Sequence, residues 1–301
     1  MIPLVSFVVT YHNEPEPLLR ACLESIKALP LSEDEAEIIV VDDGKTLTCQ
    51  LPFVNCQLIQ QEQAGLSVAR NTGISYSKGQ YIQFVDADDC LIPSAYEAVI
   101  GEMRSNSADI ILFGRTYRSG KQRARGKRSF PSSDFLRSRN LRAAAWGYTF
   151  RRDILGSLRF YPGLLHEDEL FTPQLFLKAE TVVELDAKAY FYRQHEGTIT
   201  SSKSPEKVQK RLDDIHFIIK ELDSVDELLL ERRIKQLTGD YLQNIWMLTH
   251  SLKELRRRSE DLLSEGFLPL PLRRYSIRYL LIAFATRIPK LLYPRVVGQR
   301  H

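Results

Sequence analysis

Residues 65–89 read GLSVARNTGISYSKGQYIQFVDADD, and the pattern of this stretch indicates a helix followed by a buried strand. Its first half has the spacing of a helix, and 80–85 is a short apolar run that is typical of a buried strand. Three carboxylates, Asp86, Asp88 and Asp89, follow the run within four positions. A strand that ends in so much like charge indicates a site at the edge of a sheet.

The same alternation of strand and helix runs through the first part of the chain. The strands are continuously apolar, which is typical of parallel strands with helices on both faces. Strands are predicted at 4–9, 37–41, 56–60, 80–85 and 108–114, and helices at 16–29, 66–77 and 93–105. We therefore expect an α/β fold with a mainly parallel sheet, whose ligand binds beyond the carboxyl ends of the strands.

Past about residue 204 the pattern changes to long amphipathic helices. They are predicted at 206–222 and 226–258, and GFLPLP at 266–271 breaks the pattern before a basic, aromatic-rich tail. We place a domain boundary near Ser204.

The net charge of +3 is unevenly spread over the 301 residues. Residues 251–301 hold eleven Lys and Arg against four Asp and Glu, and 115–128 holds seven cations and no acid. Such clusters are usually solvated surface, but they also suit phosphates or anionic lipid.

Cysteine usage and apolar runs bear on where the protein works. The four cysteines form no CxxC pair, which favours a reduced, cytoplasmic protein. The start, MIPLVSFVVTYHNE, predicts a first strand and not a signal peptide. The apolar run at 279–285 is far too short to span a bilayer.

The acidic turn at 86–89 predicts a divalent cation site. Carboxylate oxygens suit Mg²⁺ or Mn²⁺, which usually keep waters and share substrate phosphates. Short acidic clusters are often only solvated turns, but this one follows a strand at the expected ligand edge. A cation bound with a diphosphate would offset the repulsion between the aspartates.

Five segments together resemble the family 2 glycosyltransferases, which have the GT-A fold. In chain order they are VSFVVTYHNE (5–14), EIIVVDDG (37–44), GLSVARNTGISYSKGQYIQFVDADD (65–89), LLHEDELF (164–171) and YRQHEGTIT (192–200). The resemblance implies a GT-A catalytic domain at 1–203 and a helical C-terminal region at 204–301. Within that domain, the nucleotide-sugar side would be roughly 1–115 and the acceptor side roughly 140–203.

The resemblance also implies a role for each matching position. Residues that would bind the nucleotide-sugar are Thr10, Tyr11, Asn13, Glu14, Asp42, Asp43, Gly65, Arg70, Asp86 and Ala87. Asp88 would hold the metal, with Asp86 and His195 beside it, and Asp168 would be the catalytic base. Arg70 would either meet the diphosphate or brace the acidic cluster.

The residues alone leave other interpretations open. HEDE at 166–169 equally fits a helix start, where acidic side chains are favourable. A lone His beside a strand, such as His195, is usually structural, and Arg70 inside a helix suits a solvated surface. Two positions depart from the family pattern: His12 stands where Tyr is usual, and Lys45 follows Gly44 in place of a hydroxylated residue.

The resemblance implies an inverting, metal-dependent hexosyltransferase that moves a sugar from a nucleotide-sugar, with UDP as the nucleotide, to a hydroxyl acceptor. The acceptor would be a glycan or a lipid-linked oligosaccharide in bacterial surface polysaccharide synthesis, with no nucleic-acid partner. The basic, aromatic tail at 273–295 suggests peripheral contact with the inner face of the cell membrane, and it equally fits a helical appendage that packs on the catalytic domain, because its cations do not fall on one helical face.

Two other classes of function stay open. A nucleotidyltransferase also uses acidic metal sites on α/β sheets, but it normally needs a Gly-rich, basic phosphate loop after the first strand. Here that position reads TYHNEPEP, which is polar and acidic. A GT-A-like binding module without activity is the other alternative, and the intact acids at 86–89 and 166–169 argue against it.

Overall fold

A computed structural model describes most of the chain. The described residues are 2–45, 47, 56–118, 120, 122–194, 204–288 and 292. They form two compact units, of which the first comprises Met1–Phe135 with Arg142–Glu196 and the second Leu136–Leu141 with Gly197–His301.

The elements alternate as predicted in the first part of the chain. The strands are β1 (Val5–Tyr11), β2 (Ala36–Asp43), β3 (Cys56–Gln61), β4 (Tyr81–Asp86), β5 (Cys90–Leu91), β6 (Ile110–Thr116), β7 (Lys127–Pro131), β8 (Tyr148–Arg151) and β9 (Thr181–Phe191). The helices are α1 (Glu16–Lys27), α2 (Leu66–Tyr76), α3 (Pro93–Ser105), α4 (Ser132–Ser138), α5 (Glu167–Lys178), α6 (Pro205–Thr249), α7 (Leu252–Ser264) and α8 (Ile277–Ala285).

One half of the sheet is parallel, in the order β3-β2-β1-β4. Its strands are apolar along their whole length because helices cover both faces. Val5, Phe7 and Val9 of β1 belong to a core that α1 and α3 also line. On the opposite face α2 lies so close that a side chain on Gly73 would reach within 2.1 Å of Val8.

The other half of the sheet is mixed. β8 is antiparallel to β4 and β6, β9 is parallel to β6, and the short strands β5 and β7 are antiparallel to β9. The α/β fold with a central sheet and flanking helices is therefore confirmed. The antiparallel pairs were not predicted, because a strand's pattern does not state its neighbour's direction.

The second unit is helical, but its helices end elsewhere than predicted. The break predicted between 222 and 226 is present as a kink, since Asp226 inside α6 has non-helical φ and ψ of −162° and 91°. The helix predicted to continue to 258 instead ends at Thr249. His250 ends α6 in the left-handed conformation, with φ of 49°, and the side chain of Ser251 then caps α7. None of the described helices combines the length and the apolar character needed to cross a membrane.

Candidate active site

The parallel strands bring the predicted polar residues to one edge of the sheet. In the register of the sheet, Thr10 lies beside Asp86 and Tyr11 lies beside Asp42. Ala87, directly after β4, donates its backbone N–H to the carbonyl oxygen of Thr10 at 3.2 Å. The ends of three strands therefore form one continuous rim.

Asp42 is buried and holds the segment that follows β2. Its Oδ2 accepts hydrogen bonds from the backbone N–H of Leu47 at 2.8 Å and from Nε2 of Gln60 at 3.1 Å. The same Gln60 amide donates to the carbonyl oxygen of Leu47 at 3.1 Å. Asp42 thus shapes the rim through neighbouring backbone.

Asp43 fixes the entry into α2. Its carboxylate accepts from the backbone N–H of Ala64 at 2.7 Å and of Gly65 at 2.8 Å, and from Nε2 of Gln61 at 2.9 Å. Gly65 precedes α2 with φ of 90°, a backbone conformation that residues other than glycine rarely adopt. The rim end of α2 is therefore set by a carboxylate from the neighbouring strand.

His12 is tied to the end of β2 at this rim. Its Nδ1 donates to the carbonyl oxygen of Asp43, which can only accept. The amide nitrogens of Asn13 and Gln63 lie 3.5 and 3.4 Å from its Nε2. Lys45, the other departure from the family pattern, forms an exposed ion pair with Glu62.

Arg70 of α2 joins the two acidic motifs. Only 3% of the residue is exposed, which excludes the solvated arginine that its helical context allowed. Its Nη1 donates to Oε1 of Glu167, and its Nη2 donates to Oδ1 of Asp86 at 3.3 Å. Arg70 therefore braces the acidic cluster, and acids from 86–89 and 166–169 meet at one guanidinium.

Aromatic rings and an amide hold Arg70 in place. Its guanidinium lies 5.3 Å from the centre of the Phe160 ring, and that ring stacks on Phe171 of α5 at 3.8 Å. The side chain of Asn71 both donates to and accepts from the backbone of Phe160, at 2.8 Å each. These contacts tie α2 and α5 together beneath the acids.

The acidic turn after β4 is partly closed. The backbone N–H of Asp89 donates to the carbonyl oxygen of Asp86 at 3.0 Å, and Asp89 is 1% exposed. Its Oδ1 accepts from the backbone N–H of Arg193 at 2.7 Å, and the Arg193 side chain donates to the carbonyl oxygen of Asp88 at 2.9 Å. Burial, reinforced by the charge of Asp86, raises the pKa of Asp89 to about 8.

Several carboxyl groups at this rim resist ionisation. Burial raises the pKa of Asp86 and of Glu167, although the positive charge of Arg70 opposes both shifts. Burial, with a smaller contribution from the charge of Asp88, also raises the pKa of Glu14. An excess of acids over the single buried guanidinium is a common property of functional sites.

A divalent cation that shares substrate phosphates fits this chemistry. Within the described residues, no three His, Cys, Asp or Glu side chains are placed to hold a metal ion among themselves. Asp86 and Asp88 offer hard oxygen ligands at a half-buried turn, and Oδ2 of the buried Asp89 has no hydrogen-bond partner there. Mg²⁺ and Mn²⁺ usually complete their coordination with water and phosphate oxygens.

The HEDE motif does form a helix start. α5 begins at Glu167, directly after His166, which is left-handed with φ of 60°. Asp168 is half-buried in the first turn, and its charge contributes to the raised pKa of Arg70, after that of Glu167 and Asp86. The two interpretations of this motif therefore describe the same place, since the helix start carries Asp168 to the acidic rim.

His195 and the rest of its motif lie outside the described residues, apart from 192–194. Within that short part, the contacts of Arg193 with the acidic turn were not predicted. Neither was Phe160, which lies in no motif. Arg193 acts through its backbone N–H and its side chain, and Phe160 acts through its ring and its backbone. A residue's type does not reveal such contacts in advance.

The basic cluster at 115–128 is divided between different surroundings. Lys127 pairs with Glu102 at 2.8 Å, and Arg128 lies 3.5 Å from Glu184. The guanidinium of Arg115 lies over three rings, at 5.2 Å from Tyr117, 5.6 Å from Trp146 and 5.3 Å from Tyr192.

Comparison with known proteins identifies the family. Residues 6–161 match the model of glycosyl transferase family 2. The chain belongs to this family. This glycosyltransferase is 31% identical over 222 residues to the uncharacterized glycosyltransferase EpsJ of Bacillus subtilis, a match that covers 66% of this chain and 64% of EpsJ.

Two further relatives extend the comparison. The poly(ribitol-phosphate) beta-glucosyltransferase of Bacillus spizizenii is 26% identical over 73% of this chain and 37% of its own. This glycosyltransferase thus spans less than two thirds of the length of both sequence relatives. The crystal structure of S. aureus TarS 1-349 in complex with UDP-GlcNAc superposes with a TM-score of 0.63, at 20% identity over 98% of this chain and 83% of the TarS 1-349 chain. That likeness confirms the GT-A fold.

Proposed function

We propose that this glycosyltransferase moves a sugar from a nucleotide-sugar to a hydroxyl acceptor, with inversion at the anomeric carbon. The observation that carries the proposal is the pairing of Arg70 with Asp86 and Glu167. It brings the acidic turn after β4 and the acidic start of α5 to one guanidinium. A donor-binding group and a catalytic base must share such a place.

The donor lies on the rim made by β1, β2 and β4. Thr10, Tyr11, Asn13 and Glu14 line the nucleoside side, with Ala87 beside them. Asp42 and Asp43 act mainly by setting the backbone, because each accepts hydrogen bonds from main-chain N–H groups. Gly65, whose added side chain would meet open space, leaves room for the nucleotide. We infer a UDP-sugar, because TarS, which has the same fold, was crystallised with UDP-GlcNAc.

A divalent cation, Mn²⁺ or Mg²⁺, would be held by Asp88 with Asp86, and His195, which lies outside the described residues, would be the third ligand. When bound, the cation stabilises negative charge on the leaving diphosphate. The chain's own contribution is electrostatic: Arg70 keeps Asp86 in place, and Arg193 holds the turn through the backbone of Asp88 and Asp89. A fixed turn needs no reorganisation during the reaction.

Asp168 serves as the general base. It accepts the proton of the acceptor hydroxyl while that oxygen attacks the anomeric carbon from the face opposite the leaving group. One displacement of this kind inverts the configuration. The pair of Arg70 and Glu167 is buried and fixes the first turn of α5, and with it the backbone position of Asp168.

We infer that the acceptor is a glycan or a lipid-linked oligosaccharide of bacterial surface polysaccharide synthesis. The poly(ribitol-phosphate) beta-glucosyltransferase among its relatives supports an acceptor of this polymeric class. Such work places the protein in the cytoplasm, at the inner face of the cell membrane.

The test is a panel of nucleotide-sugars, incubated with the purified protein with and without Mn²⁺. We expect slow, metal-stimulated release of nucleoside diphosphate from one of them, and loss of the stimulation in Asp88→Asn. Release of pyrophosphate from nucleoside triphosphates would instead indicate a nucleotidyltransferase. Donor binding without any turnover, in the presence of extracts that contain acceptors, would indicate an inactive binding module.

A further inference from the structure

One face of α8 is apolar and exposed. Ile277 is 83% exposed, Leu281 66%, Phe284 54% and Ile288, three residues past the helix, 53%. At about 100° per residue, the three positions within the helix fall on one side of it. We call these four residues the α8 ridge.

The opposite face of α8 is well packed, so the ridge is not a consequence of a loosely placed helix. Tyr279 and Ala283 are buried. The Tyr279 ring packs close to Gly239 of α6, since a Cβ atom added to that glycine would lie 3.3 Å from the ring. Thr286 is also buried, and its Oγ1 accepts a hydrogen bond from the backbone N–H of Leu270 at 3.1 Å. The side chain of Ser276 caps the first turn. The helix is therefore anchored on its inner side and turns the ridge outward.

The ridge lies in a stretch of chain that carries only positive charge. Residues 266–301 contain seven Lys and Arg and no Asp or Glu. Arg273 and Arg274 are exposed just before α8. Arg278 and Arg287 flank the ridge; the first pairs with Asp240 at 2.9 Å, and the second donates to the carbonyl oxygen of Leu270 at 3.0 Å. An anionic surface would complement this stretch.

An apolar groove of about 630 Å³ opens beside the ridge. Leu242 of α6 and Leu255 of α7 form one wall, and Ile277, Leu281 and Ala285 of α8 form another. Exposed apolar residues continue past the groove. They are Trp246 and Met247 near the end of α6 and Leu252 at the start of α7. Ridge and groove are more apolar surface than isolated exposed side chains provide.

We propose that the α8 ridge binds the surface of a bilayer rich in anionic lipid. In this arrangement α8 lies in the plane of the interface. Ile277, Leu281 and Phe284 enter the acyl boundary, and the arginines remain at the headgroups. The proposal deepens the proposed function by giving the enzyme's contact with the membrane, and it rests on that function only for the reaction carried out there.

A second copy of the chain fits this surface less well. Two ridges in a symmetric contact would bring the same acid-free, basic stretches together, and like charges oppose each other. Anionic lipid supplies the missing negative charge over a wide area, at about 1 kcal/mol for each cation near the surface. Charge complementarity therefore favours a membrane over self-association.

The experiment is flotation of the full-length protein with vesicles, without nucleotide or acceptor. One set contains equal parts of phosphatidylglycerol and phosphatidylethanolamine, and the other contains phosphatidylcholine alone. We expect flotation with the anionic set, at least about tenfold weaker binding to phosphatidylcholine, and release from the anionic set at high salt.

Matched variants locate the surface. Leu281→Asp combined with Phe284→Asp is expected to weaken binding to the anionic vesicles at least about tenfold. The double substitution removes two apolar side chains and adds two negative charges, which the anionic lipid repels. Leu228→Asp is the control, since Leu228 is 81% exposed in the same unit but lies outside the ridge. Leu281→Ser with Phe284→Ser tests the apolar part without added charge. The thermal unfolding of all variants is compared with that of the wild type.

Either of two results overturns the proposal. One is a wild type that stays with the unbound protein in both vesicle sets, and the other is a Leu228→Asp variant that loses as much binding as the ridge variant. A concentration-dependent dimer in sedimentation, abolished by the ridge variants in the absence of lipid, would assign the surface to self-association. Release of nucleoside diphosphate from a nucleotide-sugar is measured in a separate assay on the same protein preparations, so failure of the catalytic proposal is distinguished from failure of membrane binding.

Discussion

Each unit contains a buried arginine that pairs with two acids, and the two arginines have different surroundings. Arg70 in the first unit is 3% exposed and contacts Asp86 and Glu167. Arg258 in the second unit is 2% exposed and contacts Asp213 and Glu254, at 2.8 and 2.6 Å. Each guanidinium also lies near aromatic rings, at 5.9 Å from Tyr241 in the case of Arg258.

The difference lies in the acids. The side chains of Asp213 and Glu254 reach water, and hydrogen bonds from Arg257 first and from Arg258 lower the pKa of Glu254 to about 2. The pKa of Asp86 and of Glu167 is raised instead, because burial outweighs the one guanidinium they share. Acids that are balanced by neighbouring cations indicate a structural ion pair. Buried acids that outnumber the cations beside them indicate a functional site that binds a cation.

Asp168→Asn should have the largest effect, and it tests whether the acid-rich site is catalytic. If Asp168 is the base at the acid-rich site, kcat for transfer should fall by roughly 10²–10⁴-fold, while the Kd of the donor stays within about twofold. Calorimetric titration and single-turnover assays measure the two separately. Glu169→Gln, one position along the same turn, is the control and should keep most activity. Loss of donor binding together with turnover would contradict the assignment.

Arg70→Met should be the most destabilising change at either arginine. It leaves the buried Glu167 and the partly exposed Asp86 without their cation. Loss of one partner of a buried ion pair costs about 3–5 kcal/mol in the free energy of unfolding. Denaturant unfolding measures this, and adding Glu167→Met should recover much of the stability but not the activity. A loss below about 1 kcal/mol would show that water already compensates these acids.

Arg258→Met should weaken the second unit without touching the chemistry. Its acids can turn toward water, so we expect a smaller loss of about 1–3 kcal/mol, from the charged hydrogen bonds and the bond to the Tyr241 hydroxyl. At a temperature where both proteins are folded, the rate of nucleotide-sugar turnover should stay within about twofold. A fall in turnover as deep as that of Arg70→Met would remove the distinction between the two arginines.

The smallest effect concerns pH. The folded pKa of Glu254, about 2, lies below its ordinary value of 4.5, so its contribution to stability is present above pH 4.5 and is lost as the pH falls toward 2. Glu254→Gln should therefore lower the free energy of unfolding at pH 7 by less than Arg258→Met does, because Arg258 also contacts Asp213 and Tyr241, and by almost nothing near pH 2. Glu260→Gln, on the same helix, is the control and should show no such convergence. Equal losses at both pH values would mean that packing, not charge, explains the effect.

Local pattern predicted much of the first unit. The helix expected at 93–105 is α3, Pro93–Ser105, and the strand expected at 80–85 is β4, Tyr81–Asp86. Continuous apolar runs imply burial on both faces, and polar residues after them imply a site at the strand ends. Those inferences use only neighbours in the sequence, and they held because each strand's own side chains decide its burial.

The second unit was harder to predict, because the local pattern on which the prediction depends does not show where a helix turns. Apolar residues continue past 249 at helical spacing, so the pattern predicted a helix to 258. The chain instead turns at His250, in a left-handed conformation that no periodicity announces. Nor did the pattern show which face of α8 would be covered, because both faces carry apolar residues.

The order of strands and helices, the acids at the strand ends and the family of the chain can all be read from its amino acids. Which charges meet cannot, because it depends on how the chain folds. Arg70 finds Asp86 sixteen positions away and Glu167 ninety-seven positions away. The physical reason is that periodicity is a property of neighbouring residues, whereas an ion pair and the burial that shifts its pKa depend on where distant parts of the chain come together.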